Sequence, residues 1–326
     1  MASPITTRSS VGRYFQLLLD GGADPAGFVR SVDFGGIKGE LLAQQVGGQA
    51  YRVKGIHNPA VDPVTVQVGF SMSDVFYTWI AKSWAGECMR QNGSIIVYDH
   101  NLNPIYEYQF SEALILETTV PALDASSKDA AFMTIKFQPE TAEHALFPSL
   151  SYTQPKTPVV QKMWLPCNFR FEIDGIDVKR VTKIESFTVK QNVKPMTCGP
   201  QWMYQIEPTS LEYPNITATF SIANAGDWFD WHKDFVVDGN NGPDKEKTGA
   251  ITMLAQDLQQ ELLTVNLKQV GICNLALEKS DAGGNDTIAR VKVDLYCEEM
   301  ELEWQSAGLG SGSTGSSTPS SPESSA

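Results

Sequence analysis

The residue types best able to move a proton or bind a metal are spread too thinly along this chain to meet by local geometry. The four histidines are His57, His100, His144 and His232. The first and third read as loop residues, His100 falls at a hairpin turn, and His232 lies beside an aromatic helix stripe. The five cysteines, Cys88, Cys167, Cys198, Cys273 and Cys297, are odd in number, and no two are spaced as CxxC. They read as reduced thiols rather than a disulfide frame or a metal cage. Gly35-Gly36-Ile37-Lys38-Gly39 echoes a phosphate loop without its spacing, and Glu298, Glu299, Glu301 and Glu303 read as a solvated edge. HExxH, P-loop and GxSxG patterns are all absent. With no convergent set, no catalytic, cofactor-binding or metal-binding residue is assigned, and the chain is read as non-enzymatic.

Composition narrows the remaining classes. The 326 residues suit two ordinary domains, and the formal charge of −13 opposes tight wrapping of nucleic acid. An acidic wall past which DNA or protein slides without sticking remains compatible with that charge. No apolar run approaches the ~20 residues that span a bilayer, and the first ten residues lack the apolar centre of a secretory signal.

The elements that would position any surface occur twice, in one order. Phe15, Leu17 and Leu19 open the first copy, and Phe169, Phe171 and Ile173 open the second, with strand-like alternation in each. Pro63 then leads Val64 to Val68, as Pro214 leads Asn215 to Phe220; proline at a strand's first residue removes no interior ladder bond. Ser71 and Asp74, then Asn224 and Asp227, read as matching helix starts. Each precedes an aromatic stripe: Phe76, Trp79 and Ile80 in one copy, Trp228, Trp231, His232 and Phe235 in the other. A hairpin follows in both. Its return strand alternates Tyr106, Tyr108 and Phe110 against Glu107, Gln109 and Ser111, and in the second copy Leu263, Val265 and Leu267 against Thr264, Asn266 and Lys268. The fold class is therefore mainly β: two tandem β-domains, each with one short packed helix. The boundaries read as 1–146 and 167–305, joined by a Pro-rich connector at 147–166 and followed by a disordered Gly/Ser/Pro tail at 306–326.

The first copy resembles the tail-tube proteins of contractile phages and contractile injection systems, most strongly at Gly93 to Asp99, Tyr106 to Ala113 and Leu123 to Lys128. The second copy is diverged, with Ser280 to Asn285 in place of Leu123 to Lys128 and an insertion at Asp238 to Lys247. The resemblance implies that each domain is a small tail-tube-like β-sandwich or barrel, that neighbouring domains join strands in rings around a lumen, and that rings stack into a tube. Six domains usually close such a ring, so two per chain imply a trimer with pseudo-sixfold symmetry. On this reading Glu107, Gln109, Ser111, Thr264, Asn266 and Lys268 face the lumen. Ile37, Tyr51 and Ile56 in the segment 37–62, and Met196, Trp202, Met203 and Tyr204 in 193–213, lie on loops that reach another subunit or ring, or fold back on their own domain. The implied partners are the chain itself, with sheath, baseplate and tail-terminator proteins, and DNA or protein cargo passing without tight binding. No cofactor and no membrane insertion are implied. The setting is a virion tail or injection particle assembled in the bacterial cytoplasm. Two alternatives stay open: a baseplate hub or tube-initiator adaptor of the same fold, and a carbohydrate-binding or hydrolytic β-protein with an exposed aromatic platform.

Overall fold

The computed structural model describes residues 12–20, 25–48, 51–146, 164–197, 203–278 and 289–305. Most of the Pro-rich connector, Cys198, Trp202 and the C-terminal tail lie outside them.

The first half contains β1 (Tyr14–Leu19), β2 (Gly27–Val29), β3 (Ser31–Asp33), β4 (Ile37–Gln44), β5 (Val53–Val61), β6 (Val64–Val68), β7 (Gln91–Tyr98), β8 (Pro104–Val120), β9 (Leu123–Asp124), β10 (Met133–Gln138) and β11 (Thr141–Leu146). Helix α1 (Asp74–Trp84) lies between β6 and β7. The second half contains β12 (Phe169–Ile173), β13 (Val181–Ile184), β14 (Phe187–Met196), β15 (Gln205–Glu212), β16 (Ile216–Ser221), β17 (Lys247–Leu254), β18 (Glu261–Leu277) and β19 (Arg290–Trp304). Helix α2 (Gly226–His232) follows β16 and runs into a π-helical turn, Lys233–Val237.

Strand order is the same in both halves. The first sheet runs β1-β7-β8-β10-β6-β3 and the second β12-β17-β18-β19-β16-β13. The match extends to backbone detail. Leu102 and Leu258 turn the two hairpins in the left-handed region, with φ of 63° and 57°. Glu112 and Gln269 do so at matching bulges on the return strands, with φ of 53° and 52°. Asp99 Oδ1 accepts from the amides of Asn101 and Asn103, and Asp257 Oδ1 from those of Gln259 and Gln260. The bonds from Asn103 hold the Asp99 carboxyl below the usual range. Gly93 and Gly249 sit where a Cβ would lie 2.2 Å and 2.7 Å from the carbonyl oxygens of Leu18 and Glu172. Only glycine lets those opening strands approach so closely.

Each helix seals a sheet with aromatic side chains. Trp79 is fully buried, 5.5 Å from the Phe137 ring, and its indole N–H donates to Met89 O. Trp228 is equally buried, 4.9 Å from Phe220, and donates to Asp177 O. Burial of such rings stabilises each half by about 1.5–3 kcal/mol per ring. The helix starts differ from those expected at Ser71 and Asn224. The N-caps are Ser73 and Ala225, and neither forms a side-chain cap bond. Ser73 N instead donates to Ala26 O, and the Ser221 side chain caps a 3-10 turn ahead of α2 by accepting from Ala223 N at Oγ. Two histidines assigned to loops stand on strands, His57 on β5 and His144 on β11.

The halves diverge at their final strand. β19 runs unbroken along β18, whereas its first-half counterpart splits into β10 and β11 around Pro139 and Glu140.

Candidate assembly surfaces

Strand alternation gives the return strands one polar face each. Tyr108 and Phe110 are buried against the first core, and Gln109 and Ser111 are exposed on the opposite face. Leu263, Val265 and Leu267 are buried in the second core, while Thr264, Asn266 and Lys268 lie half-exposed opposite them. Cross-strand neighbours make this face acidic. Gln109 pairs with Glu143, Asn266 with Glu301, Thr264 with Glu303 and Lys268 with Glu299. Lys268 bridges Glu299 at 3.4 Å and also Glu301, and Arg170 bridges Glu172 and Glu261. Glu107 departs from the expectation of an open face. It shares a row with Gln16 and Ile96, and all three are buried. Tyr98 closes that corner by donating to Gln16 Oε1 at 2.6 Å.

A second surface is the joint between the halves. Residues 117–124 run antiparallel to residues 183–190 in one register, from Glu117 opposite Lys190 to Val120 opposite Phe187, then Leu123 opposite Ile184 and Asp124 opposite Lys183. Phe187, Val189 and Ile184 are buried in it, and the Thr119 and Thr188 hydroxyls meet at 2.8 Å. Beyond it, Tyr213 Oη donates to Trp84 O at 2.6 Å, and Trp304 stacks on Tyr77 while its indole donates to Asp74.

The third surface is a pair of hairpin arms at matching positions, β4–β5 and β14–β15. The second arm folds back on the first half of its own chain. Ile206 is buried; its carbonyl accepts from Arg90 at 2.6 Å and its amide donates to Glu140 at 2.9 Å, while Arg90 pairs with Glu140. Met203 and Glu207 line the adjoining open groove with Arg90, Glu112 and Glu140. Met203 and Tyr204 are half-buried, Met196 is 45% exposed, and Trp202 lies outside the described residues. The first arm is a separate two-stranded sheet, and every residue of β4 is exposed. Ile37, Leu41, Leu42, Val46, Tyr51, Val53 and Ile56 all stand out on it, with Tyr51 68% and Ile56 63% exposed.

No three metal-binding side chains converge among the described residues. His144 instead meets the Tyr106 hydroxyl at 2.6 Å. Trp79, Trp228 and Trp231 are buried and offer no aromatic platform. No helix among the described residues is long and apolar enough to cross a membrane.

These features describe a β-rich chain of two like halves joined by one strand ladder. Residues 44–143, from the end of β4 to the middle of β11, match the family described as T4-like virus tail tube protein gp19. Over that segment the chain is tail-tube-like, as its sequence resemblance implies. No curated protein matches it. Among solved structures, a chain of the anti-feeding prophage baseplate, 6-fold symmetrised, is 16% identical, covers 45% of this chain and 97% of its own, with a TM-score of 0.34. A chain of the PVC extracellular contractile injection system sheath-tube complex in the extended state is 18% identical, covering 42% and 89%, with a TM-score of 0.33. An Hcp protein is 17% identical, covering 37% and 70%, with a TM-score of 0.21.

Proposed function

We propose that this chain is a structural subunit of the inner tube of a phage tail or contractile injection system. Three chains close a pseudo-sixfold ring, and rings stack around a lumen for DNA or effector passage. The observation that carries this reading is the ladder between 117–124 and 183–190. It joins the halves head to tail, using different surfaces on each, and a heterologous joint of that kind closes into a ring when its repeated rotation completes a circle. Closure also removes sheet edges that would otherwise invite uncontrolled pairing. The polar faces bearing Gln109, Ser111, Thr264, Asn266 and Lys268 then line the lumen, and their neighbouring carboxylates repel a polyanionic cargo enough to let it slide. The particle is a virion tail or injection device, and sheath, baseplate and terminator proteins are its partners.

Electron microscopy of the purified protein tests the reading, with stacked rings of threefold symmetry as the expected result. A monodisperse monomer at high concentration overturns it. One observation favours a second reading, a baseplate hub or tube initiator. The two arms of a chain have unlike surroundings, so a trimer alternates two kinds of joint where a sixfold ring repeats one. That adaptor gives single rings that do not stack on themselves in the same images.

A further inference from the structure

The intramolecular joint supplies a template for the intermolecular one. In the arms, Lys38 opposite Ala60 stands where Lys190 stands opposite Glu212, and Lys54 opposite Ala43 stands where Ile206 stands opposite Pro195. On the receiving side, Gly93 opposite Phe110 matches Gly249 opposite Leu267, and Thr119 opposite Thr134 matches Ala276 opposite Lys292. The counterpart of the edge at 117–120, which β14 covers, is therefore 274–277 on β18. There Asn274, Ala276 and Leu277 are exposed, Leu277 by 60%.

We propose that the first arm of one chain docks on the second half of a sister chain in this same register. Ile37 then pairs with Leu275 of the sister and Lys38 with Asn274, while Lys54 seats beside Glu246 and Glu298. The proposal rests on the ring reading and adds its closing contact.

Charge supports the register independently. Arg90 and Glu140, which grip the second arm, correspond to Glu246 and Glu298, the residues just before Lys247 and Glu299 in the matched ladders. Where the second arm offers Ile206, the first offers Lys54, with Arg52 close by. Glu246 accepts from Tyr296 through Oε1 at 2.8 Å, while its Oε2 is buried and has no hydrogen-bond partner among the described residues. A buried carboxylate oxygen left in that state is costly, and a cation delivered from outside satisfies it. Asn274 donates to Asp294 at 2.9 Å, so Lys38 also arrives in a row ending on a carboxylate.

The test is a cysteine pair, Lys38→Cys with Asn274→Cys, in a Cys273→Ser background. Both positions are exposed, so the chain folds as before. Directly opposed strand residues lie within disulfide reach. Oxidised full-length protein is expected to run as covalent dimers and trimers on a denaturing gel, and the offset pair Lys38→Cys with Leu277→Cys as monomer. Lys54→Glu is expected to abolish rings in micrographs while leaving the circular dichroism unchanged. Rings that form without the in-register crosslink, or with equal crosslinking of the offset pair, overturn this contact and leave the ring reading standing. Absence of both rings and crosslinks overturns the two together.

Discussion

The two arms occupy equivalent places in their halves and have opposite surroundings. The second is rooted by buried Phe187 and Val189 in the sheet of the first half, and its outer strand is held through Ile206. The first touches little of its own chain and exposes Leu41 by 68% and Ile56 by 63%. An isolated two-stranded hairpin is marginal in water, and a contiguous apolar patch on a soluble protein marks a binding surface. On the proposed ring, the contrast separates what folding uses from what assembly uses: the second arm's contacts belong to the stability of the single chain, and the first arm is left for a sister chain.

The strongest way to break that separation is to strike the core on which both arms depend. Phe110 is buried, 5.0 Å from the Phe137 ring, on the strand whose next residue back, Gln109, is exposed. Phe110→Asp removes an aromatic contact whose truncation alone costs about 3–5 kcal/mol, and buries a carboxylate in its place. The expected outcome is an unfolded first half by near-ultraviolet circular dichroism. Gln109→Lys is expected to keep the melting curve and change only the charge of the polar face. A folded Phe110→Asp variant alongside an unfolded Gln109→Lys variant would reverse the assignment of the two faces.

A smaller change sharpens the comparison between arms. Ile206→Asp should destabilise the chain in urea by about 2–5 kcal/mol, since it empties a packed site and places a charge there. Lys54→Asp, at the matching position of the exposed arm, should stay within about 0.5 kcal/mol of the parent, as surface changes do. Equal losses from both would show that the first arm is already tied down within its own chain.

How much of this could be read from sequence follows the same division. Alternation of Phe169, Phe171 and Ile173 or of Leu263, Val265 and Leu267 is a local pattern, and it placed strands and core faces correctly. Gly93 and Gly249 fell in strand-like segments, although their close approach to a neighbouring carbonyl is visible only in three dimensions. The helix starts were misassigned because capping signals compete with tertiary tethers, here Ser73 N to Ala26 O. Glu107 was placed on a lumen-facing side by alternation read through the family resemblance, neither of which reports that its row neighbours Gln16 and Ile96 are covered. The resemblance implied that neighbouring domains join strands, but not that 117–124 and 183–190 would do so, because pairing of distant strands leaves no local periodic trace. The Arg90, Glu140 and Ile206 grip was missed for the same reason.

The smallest expected effect compares the halves through their buried phenols. Burial pushes Tyr98 and Tyr108 in the first half up to about 12, and burial with the Glu246 bond does the same for Tyr296 in the second. A phenol whose folded pKa lies above its unfolded value of about 10 contributes stability that is fully present below pH 10 and is lost as pH rises through 12. Burial also raises Tyr77 and Tyr106 in the first half and Tyr213 in the second, so with four such groups against two the first half should loosen first in an alkaline titration followed by tryptophan fluorescence. Tyr108 isolates the effect because its hydroxyl is buried without a hydrogen-bond partner among the described residues. Tyr108→Phe therefore removes an unsatisfied polar atom at neutral pH, where stability should hold or rise by about 1 kcal/mol. Above pH 10 the same variant lacks the group whose ionisation the fold opposes, so its alkaline midpoint should move upward. A midpoint that stayed put would mean that the first half opens at high pH through other alkaline-titrating groups, such as Tyr98 or its lysines, rather than through Tyr108.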